Sequence, residues 1–432
     1  MTVAVFVFSL LGAMAIGMPI AYALLVCGLA LMGFMTFTGA LPSFDSQILA
    51  QRFVDGADNF PLLAVPFFLL AGEFMNAGGL SRRIVNLAMA WVGHFRGGLG
   101  YVAVLAAIIM ASLSGSAVAD TAALSALLIP MMKQAGYQVN RSAGLIAAGG
   151  IIAPVIPPSI GMIIFGVAGN VSITKLFLAG IVPGILMGVA IGITWWWIAR
   201  RENVRPAPRL GMAERLKITG QGGFALALPV LILGGMKFGV FTPTEAAVVA
   251  AVYSFVVGMF IYRELKLRDL YALVLSAGKT TAVVMFLVAA AMVSAWLITV
   301  ANIPTEVANL LEPFQGNKTL LMFVIMVLIV VVGTALDFTP TVLILTPVLM
   351  PVVLKAGIDP VYFGVLFIMN NAIGLITPPV GTVLNVVCGV AKITMDDAFK
   401  GVMPFFLAQL AVLFLLVFFP EIVLVPLQWW MK

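Results

Sequence analysis

Two carboxylates interrupt apolar segments of this sequence. Asp120 follows the letters SLSGSAVA, and Asp337 lies within GTALDFTPT. A carboxylate inside a membrane segment is costly and indicates a functional site by default. Asp337 sits among small and hydroxyl-bearing residues, where it can hold a cation directly. Asp120 comes one turn after such a stretch, so we expect a structural role for it, as a helix cap or as the partner of Lys133 or Arg141.

Two proline pairs lie in equally apolar surroundings. Residues 151–159 read IIAPVIPPS, and residues 376–382 read ITPPVGT. Proline removes a backbone donor and disfavours helix in the residue before it, so each pair ends a helix. The freed carbonyls are costly in lipid unless they face protein or a wet cavity. One such pair is typical of a surface kink, but two favour a pair of helix breaks whose oxygens suit a small hard cation.

The composition predicts a polytopic inner-membrane protein. Of 432 residues, 62% are hydrophobic and only 9% are charged, whereas about a quarter are charged in soluble proteins. A membrane-spanning helix needs about 20 apolar residues. The first apolar run lacks a basic start and a cleavage site, so we expect a first span there. The long apolar runs cover 3–36, 97–112, 174–199, 243–262, 276–301, 319–335 and 396–427.

Other classes of protein find little support. The net charge of +6 comes from loop clusters and does not indicate nucleic-acid binding. The one histidine, His94, lies in a loop and no HExxH motif exists, which excludes a zinc metalloprotease of that type. Neither Asp120 nor Asp337 belongs to a GxGD-type motif of intramembrane aspartyl proteases. Cys27 and Cys388 lie in apolar runs, so a disulfide framework is not expected, and neither an enzyme nor an organic cofactor is predicted.

The two halves of the sequence repeat each other at a shift of 221 positions, the distance from Pro130 to Pro351. The same shift superimposes the two proline pairs, and it aligns Gly180 with Gly401. The matches fall on glycines and prolines, which set the shape of the backbone. The repeat therefore predicts two copies of one structural unit.

Charges indicate that the two copies are inverted. The segment 80–96 is basic while its counterpart near 303–317 is acidic, and the arm at 41–58 is acidic while its counterpart near 263–269 is mostly basic. The positive-inside rule then makes two loop clusters cytoplasmic. We expect a cytoplasmic amino terminus and a periplasmic carboxyl terminus. The clusters contain Arg200, Arg201, Arg205, Arg209, Arg215, Lys217, and Arg263, Lys266, Arg268.

These patterns predict an all-α membrane protein of inverted repeats, with two re-entrant hairpins and two discontinuous helices, as in secondary transporters. The first repeat is predicted over 1–200 and the second over 243–432, joined over 201–242 by a cytoplasmic linker (201–220) and an extra span (224–238). Single continuous spans are expected at 3–36 and 396–427. The hairpins are predicted at 97–134 and 318–356, and the broken helices at 139–169 and 360–391.

Several motifs make the sequence similar to a known family. The segments SLSGSAVADTAALSALLIPMMKQAGY, GGIIAPVIPPSIGMIIFGVAGNVSITKLFLAGIVPG, GVFTPTEAAVVAAVY and GIDPVYFGVLFIMNNAIGLITPPVGTVLNVV resemble the large membrane subunit of TRAP transporters, the DctM-like family. The resemblance implies an elevator mechanism that imports small carboxylates with Na⁺. It also implies two partners, a small membrane subunit (DctQ-like) and a periplasmic substrate-binding protein (DctP-like).

The resemblance also assigns candidate site residues. A serine of the family's first tip aligns with Ala111, so that ligand is missing or is replaced by backbone. The implied first Na⁺ site comprises Ser114 and Ser116 with the backbone of Ala153, Ile156 and Pro158. The implied second site comprises Gly333, Asp337, Thr377 and Pro379. Candidate substrate contacts are Ser116, Ser159, Ser172 and Thr382.

The substrate and the coupling ion remain open at the level of sequence. Some sialate transporters carry an arginine just after the second-repeat span, whereas residues 298–302 here read ITVAN. The amino-acid sequence as a whole is most similar to the branch of the family that takes up the sugar acid 2,3-diketogulonate. A C4-dicarboxylate or another organic acid is the alternative substrate. Proton coupling through Asp337 is the alternative to Na⁺ coupling, and a channel is a third possibility that paired closed hairpins disfavour.

Overall fold

The structure is a computed structural model that describes residues 2–41, 45–201 and 208–431. This part of the chain is helical throughout and contains no strand. Nine of its helices are long and apolar enough to cross a membrane. The prediction of an all-α polytopic membrane protein is therefore confirmed. Arg205 of the basic cluster, and the part of the predicted linker over 202–207, lie outside the described residues.

The first half of the chain forms ten α-helices. A 3₁₀ turn over Phe60–Leu63 leads into the fourth of them. The helices are α1 Thr2–Ala15, α2 Ile20–Phe37, α3 Ser46–Ala57, α4 Ala64–Ala77, α5 Leu80–Val92, α6 Gly98–Ser114, α7 Ala117–Gln134, α8 Val139–Gly150, α9 Ile160–Ala168 and α10 Ile173–Ala199.

The second half forms ten more. A π-helical turn, Val257–Ile261, extends the second of these, and a 3₁₀ turn, Glu312–Phe314, precedes the fifth. The helices are α11 Met212–Lys237, α12 Pro243–Val256, α13 Leu267–Val300, α14 Ile303–Leu310, α15 Lys318–Ala335, α16 Phe338–Lys355, α17 Pro360–Gly374, α18 Thr382–Ala391, α19 Met395–Phe418 and α20 Glu421–Met431.

Two hairpins and two interrupted helices are present where the sequence predicts them. Helices α6 and α7 form the first hairpin and α15 and α16 the second, while α8–α9 and α17–α18 are the interrupted helices. Both interruptions contain a cis Pro-Pro bond, at Pro157-Pro158 and at Pro378-Pro379. The division into two repeats and a linker stays a prediction.

Three predicted elements are wrong in their boundaries. The single span expected at 3–36 is two helices, because Gly17 has a positive φ of 82° and Pro19 precedes α2. The span expected at 396–427 is interrupted before Pro420, where α19 ends and α20 follows. The cytoplasmic linker expected over 201–220 is helical from Met212 onward, so the predicted span at 224–238 begins earlier, as part of the 26-residue helix α11.

Because the first segment is two helices rather than one span, the amino terminus lies at the other end of the bundle from the one that a single span would give. Helix α2 runs alongside α13 in the same direction, because the ring centres of Tyr22 and Phe286 lie 5.2 Å apart and a Cβ on Gly28 would lie 3.3 Å from Leu297. The Thr2 hydroxyl donates to Glu306, beyond the end of α13, at 3.2 Å. Helix α1 therefore runs opposite to α2 and starts at the end of the bundle where α2 finishes. The start of the chain therefore lies at the same end of the bundle as the acidic arm that follows α2.

The hairpins and interrupted helices of the two halves interlock in one buried core. Helix α8 of the first half packs against α19 of the second, and α18 of the second half packs against α7 of the first. The α8–α19 contact is close because Gly144 faces the backbone of Gly401, where a Cβ would lie 2.3 Å from the Gly401 carbonyl carbon. Small residues allow such close approach of membrane helices.

This contact predicts the effect of one methyl group. Gly144→Ala should destabilise the protein by about 1–3 kcal/mol, because the Cβ meets backbone atoms that cannot rotate away. Gly192→Ala in α10 is the matched control, since no atom lies within 4 Å of the position of its Cβ. Thermal unfolding in detergent should show a lower melting temperature for Gly144→Ala only. Equal melting temperatures for the two variants would contradict the packing argument.

Candidate functional site

The turn of the first hairpin is held by its own polar side chains. The Ser114 hydroxyl donates to Asp120 Oδ1 at 2.5 Å and accepts from the backbone N–H of Ser116 at 3.1 Å. Ser116 in turn caps α7 by accepting from the N–H of Ala119 at 3.4 Å. Among the described residues, Asp120 Oδ2 is buried without a hydrogen-bond partner. The first tip therefore presents oxygen atoms on a rigid turn.

The partner of Asp120 differs from the prediction. The sequence suggested a helix cap or a pair with Lys133 or Arg141, but one carboxylate oxygen binds the Ser114 hydroxyl and the other has no partner in the described chain. Asp120 is only 2% exposed. The predicted cap and charge pair are wrong, and the residue instead fixes the serine at the tip.

The first helix break lies directly against this tip. The Ser159 hydroxyl donates to the Pro154 carbonyl at 2.5 Å and accepts from the N–H of Met162 at 3.1 Å, so one side chain ends the break and caps α9. A Cβ on Gly115, whose φ is 64°, would lie 2.2 Å from the Pro158 carbonyl oxygen. The structure thus brings the predicted backbone position Pro158 next to the tip that carries Ser114.

The second hairpin meets the second break in a similar way. A Cβ on Gly374 would lie 2.9 Å from the Gly333 carbonyl oxygen, which shows how closely α15 and α17 approach. The Thr382 hydroxyl donates to Asp337 Oδ1 at 3.3 Å, and the Thr377 hydroxyl donates to the Ile373 carbonyl at 3.0 Å. Two predicted Na⁺ positions, Gly333 and Asp337, therefore lie on a tip that contacts the second break.

A cavity of about 200 Å³ joins the two tips and the two breaks. A second cavity, of about 710 Å³, also reaches Asp337 and Thr339 and is lined on its far side by Pro19, Tyr22 and Phe286. Asp337 therefore borders both spaces. The lining of the smaller cavity includes Ser116, Pro154, Ile160, Asp337, Thr339, Leu375 and Thr382, together with Leu69 of α4 and Thr280 of α13.

Four α-helices begin at the smaller cavity. Ala117, Ile160, Phe338 and Thr382 are the first residues of α7, α9, α16 and α18, and all four line it. The first turn of a helix has free N–H groups and the positive end of the helix dipole, so it attracts anions. The cavity therefore combines positive helix ends with hydroxyl groups and one carboxylate.

Not every predicted site residue lies at this cavity. Ser116, Asp337 and Thr382 line it. Ser159 does not, because it is buried and its hydroxyl donates to the Pro154 carbonyl. Ser172 is exposed, and its hydroxyl caps α10 by accepting from the backbone N–H of Lys175 at 3.4 Å. The roles of these residues toward ions and substrate stay predictions.

The sequence analysis missed one polar residue of the cavity lining, Thr280, whereas Thr339 belongs to the hydroxyl-bearing stretch around Asp337 that it singled out. Thr280 belongs to the polar letters GKTT in an otherwise apolar run, a signal that pattern reading should have used.

The atoms at the tips and breaks that could serve as metal ligands are oxygen atoms. The described residues contain no group of three or more His, Cys, Asp or Glu side chains placed to hold a metal ion. Hydroxyls, backbone carbonyls and a single carboxylate are ligands for a hard cation rather than for a transition metal. These oxygen ligands suit a hard cation, and the helix starts beside them suit an anion.

Hairpins and interrupted helices that enclose a shared cavity, lined in part by hydroxyl groups and a carboxylate, define a secondary transporter of the inverted-repeat class. The sequence matches the family described as the tripartite ATP-independent periplasmic transporter, DctM component, over residues 7–422. The chain belongs to this family, that of the large permease of tripartite transporters, and the members of that family are permeases rather than enzymes.

Relatives of known name support this assignment, and a solved structure shows a similar fold. The chain is 59% identical over 429 residues to the 2,3-diketo-L-gulonate TRAP transporter large permease of Escherichia coli, covering 99% of this chain and 100% of the relative. It is 37% identical to the sialic acid TRAP transporter large permease of Vibrio cholerae, covering 97% and 96%. The fold resembles that of the Alcanivorax borkumensis YdaH transporter at a TM-score of 0.62 and 17% identity, covering 85% and 86%.

The contact between tip and break predicts the effect of a second glycine substitution. Gly115→Ala should impair folding of the first tip and lower transport at least tenfold, because its Cβ would collide with the Pro158 carbonyl. Gly136→Ala is the matched control at the base of the same hairpin, where φ is also positive at 85° but no atom lies within 4 Å of the Cβ. Uptake by reconstituted protein measures the difference. Similar losses in both variants would mean that only the positive φ matters.

Proposed function

We propose that this chain is the large permease of a Na⁺-coupled importer of a small carboxylate, most specifically a sugar acid. The observation that carries the proposal is the convergence of four helix N-termini on one cavity beside oxygen-lined tips. Positive helix ends suit the carboxylate of the substrate, and freed carbonyls suit the cation. Na⁺ and the substrate carboxylate can then be bound in one region of the protein, where each has groups of opposite charge beside it.

The cavity supports recognition of a carboxylate without a basic side chain. No lysine or arginine lines it among the described residues, and the stretch 298–302 carries no arginine either. Hydroxyls of Ser116, Thr339 and Thr382 together with free N–H groups at the helix starts can bind both a carboxylate and sugar hydroxyls. The identity of 59% with a permease named for 2,3-diketo-L-gulonate favours a sugar acid over a C4-dicarboxylate.

The same geometry supports the proposal of Na⁺ coupling. The oxygens of Ser114 and Ser116 lie on a tip in contact with the Pro158 carbonyl, and Asp337 lies on the other tip in contact with Thr382. A cation bound between a tip and a break would hold the two together, which orders the helix starts that face the substrate. Binding of Na⁺ and substrate would thus stabilise one another, as symport requires.

The proposal includes an elevator motion and two partner proteins. The interlocked core that carries both tips would move as one body against α4 and α13, which contribute Leu69 and Thr280 to the edge of the cavity. A DctQ-like membrane subunit and a DctP-like periplasmic protein would complete the transporter. With the basic loops in the cytoplasm, both termini would lie on the periplasmic side of the inner membrane, because α1 runs opposite to α2.

The coupling ion is tested by uptake into proteoliposomes with imposed Na⁺ or proton gradients. A Na⁺ gradient at constant pH should drive uptake. Ser114→Ala and Ser116→Ala should each raise the Na⁺ concentration for half-maximal uptake by about tenfold, the effect of losing about 1.4 kcal/mol of binding energy. Ile156→Leu is the control and should change little, because Ile156 would contribute only its backbone carbonyl.

Two results would contradict this assignment. Uptake that ignores Na⁺ but follows pH would favour proton coupling, for which Asp337 is the candidate because its carboxylate borders both cavities. A larger loss in Ile156→Leu than in the serine variants would refute the role of the backbone.

The tripartite assignment predicts that transport depends on a binding protein. Proteoliposomes that contain this chain and its small subunit should take up substrate only when the cognate periplasmic binding protein is supplied in the outer medium. Supplying the binding protein inside the vesicles is the control and should give no uptake. Uptake of free substrate at the same rate without any binding protein would overturn this part of the proposal.

A further inference from the structure

Arg215 is a buried arginine outside the cavity lining, and it has no counter-ion among the described residues. Arg215, in the first turn of α11, is only 5% exposed, and its Nε atom has no hydrogen-bond partner. The ion pairs formed among the described residues involve Arg82, Arg83 and Arg268. A buried guanidinium without a carboxylate is costly unless an anion from outside the chain pairs with it.

The surroundings of Arg215 are positive and aromatic. Its guanidinium carbon lies 5.9 Å from the centre of the Trp91 ring, and its Nη2 lies 3.4 Å from His94 Nδ1. Desolvation, together with the charges of Arg215 and Arg209, lowers the pKa of His94 below its usual value, so the imidazole is neutral and Nδ1 can accept the bond. Glu214, next in sequence, is exposed and forms no ion pair with Arg215.

Further arginines extend the positive surface along the end of α10. Arg96 donates to the Arg200 carbonyl at 3.1 Å, and the guanidinium carbons of Arg200 and Arg201 lie 3.5 Å and 4.9 Å from the rings of Trp196 and Trp197. Ring contacts from His94 to Phe95 and from Phe95 to Tyr101 connect the two parts of the surface.

The exposed aromatic rings around the arginines indicate how deep in the membrane the site lies. Trp196 and Trp197 are 46% and 60% exposed, and Trp91 is 37% exposed. Exposed tryptophans beside arginines are typical of the boundary between lipid and water. Basic pockets between helices on the cytoplasmic side bind the phosphates of acidic lipids.

We propose that Arg215, together with Arg209 and with Arg200 at the adjoining end of α10, forms a binding site for the phosphate of an anionic phospholipid headgroup at the cytoplasmic end of α5, α10 and α11. The headgroup supplies the negative charge that Arg215 lacks within the described chain. The aromatic rings contact the glycerol and acyl region. The site joins the end of α5 to the start of α11, so lipid binding stabilises the packing of these two helices.

The full-length chain, purified in detergent, tests the proposal through its melting temperature. Cardiolipin should raise that temperature, whereas phosphatidylethanolamine and inorganic phosphate at equal phosphate concentration should not. Arg215→Met should remove the cardiolipin response and leave the lipid-free protein at least as stable as wild type, because an unpaired buried charge is gone. Arg200→Gln should lower the affinity for cardiolipin by about fivefold, so that about five times more cardiolipin is needed for the same rise in melting temperature. This factor is the contribution of one surface arginine near an anionic lipid.

Arg268→Gln is the matched control. This arginine also belongs to a predicted cytoplasmic loop, but it is exposed and pairs with Asp269 at 3.6 Å, so its removal should leave the cardiolipin response unchanged. An equal rise in melting temperature with inorganic phosphate or with the zwitterionic lipid would overturn the lipid assignment. An unchanged cardiolipin response in Arg215→Met and Arg200→Gln, or a strongly destabilised lipid-free Arg215→Met, would overturn the site itself.

Discussion

Backbone carbonyl and amide groups have no water to bind inside a membrane, and this constraint governs the whole structure. Each interrupted helix frees polar backbone groups, and each is covered by the tip of a hairpin. The Pro158 carbonyl lies against Gly115, and the Gly333 carbonyl lies against Gly374. Glycine is needed at these contacts because a side chain would fill the space that the neighbouring backbone occupies. The hairpin tips therefore shield the polar backbone groups of the helix breaks from lipid.

The same arrangement separates two kinds of electrostatic environment. Helices α6, α8, α15 and α17 end at the tips and breaks, while α7, α9, α16 and α18 begin there. Helix ends with free carbonyls attract a cation, and helix starts with free N–H groups attract an anion. A cation and a carboxylate can thus be bound with few charged side chains. Such an arrangement suits a chain in which only 9% of the residues are charged.

The interlocking of the two halves gives the site its rigidity. Each half contributes one tip and one break, but α8 packs against α19 and α7 against α18, so neither half completes the core alone. Close approach through Gly144 and Gly401 makes this core dense. Such a body is suited to move as a unit, because a small displacement of one helix would collide with another. The arginine surface around Arg215 lies outside this core.

The sequence by itself determined the class of protein, the two hairpins and the two helix breaks. Apolar runs, repeated prolines and small residues act locally through backbone hydrogen bonding, so their consequences can be predicted without tertiary contacts. The same local logic failed at 3–36 and 396–427, since an apolar run does not show where a helix turns back, and Gly17 and Pro420 gave weak signals.

Only the tertiary structure decided which residues meet. It paired Asp120 with Ser114, brought Thr280 of α13 to the cavity, and buried Arg215 beside His94. These contacts join residues that lie on separate helices or on opposite sides of a turn, and their geometry depends on how the helices pack. Packing is a property of the whole chain and has no local signature in the sequence.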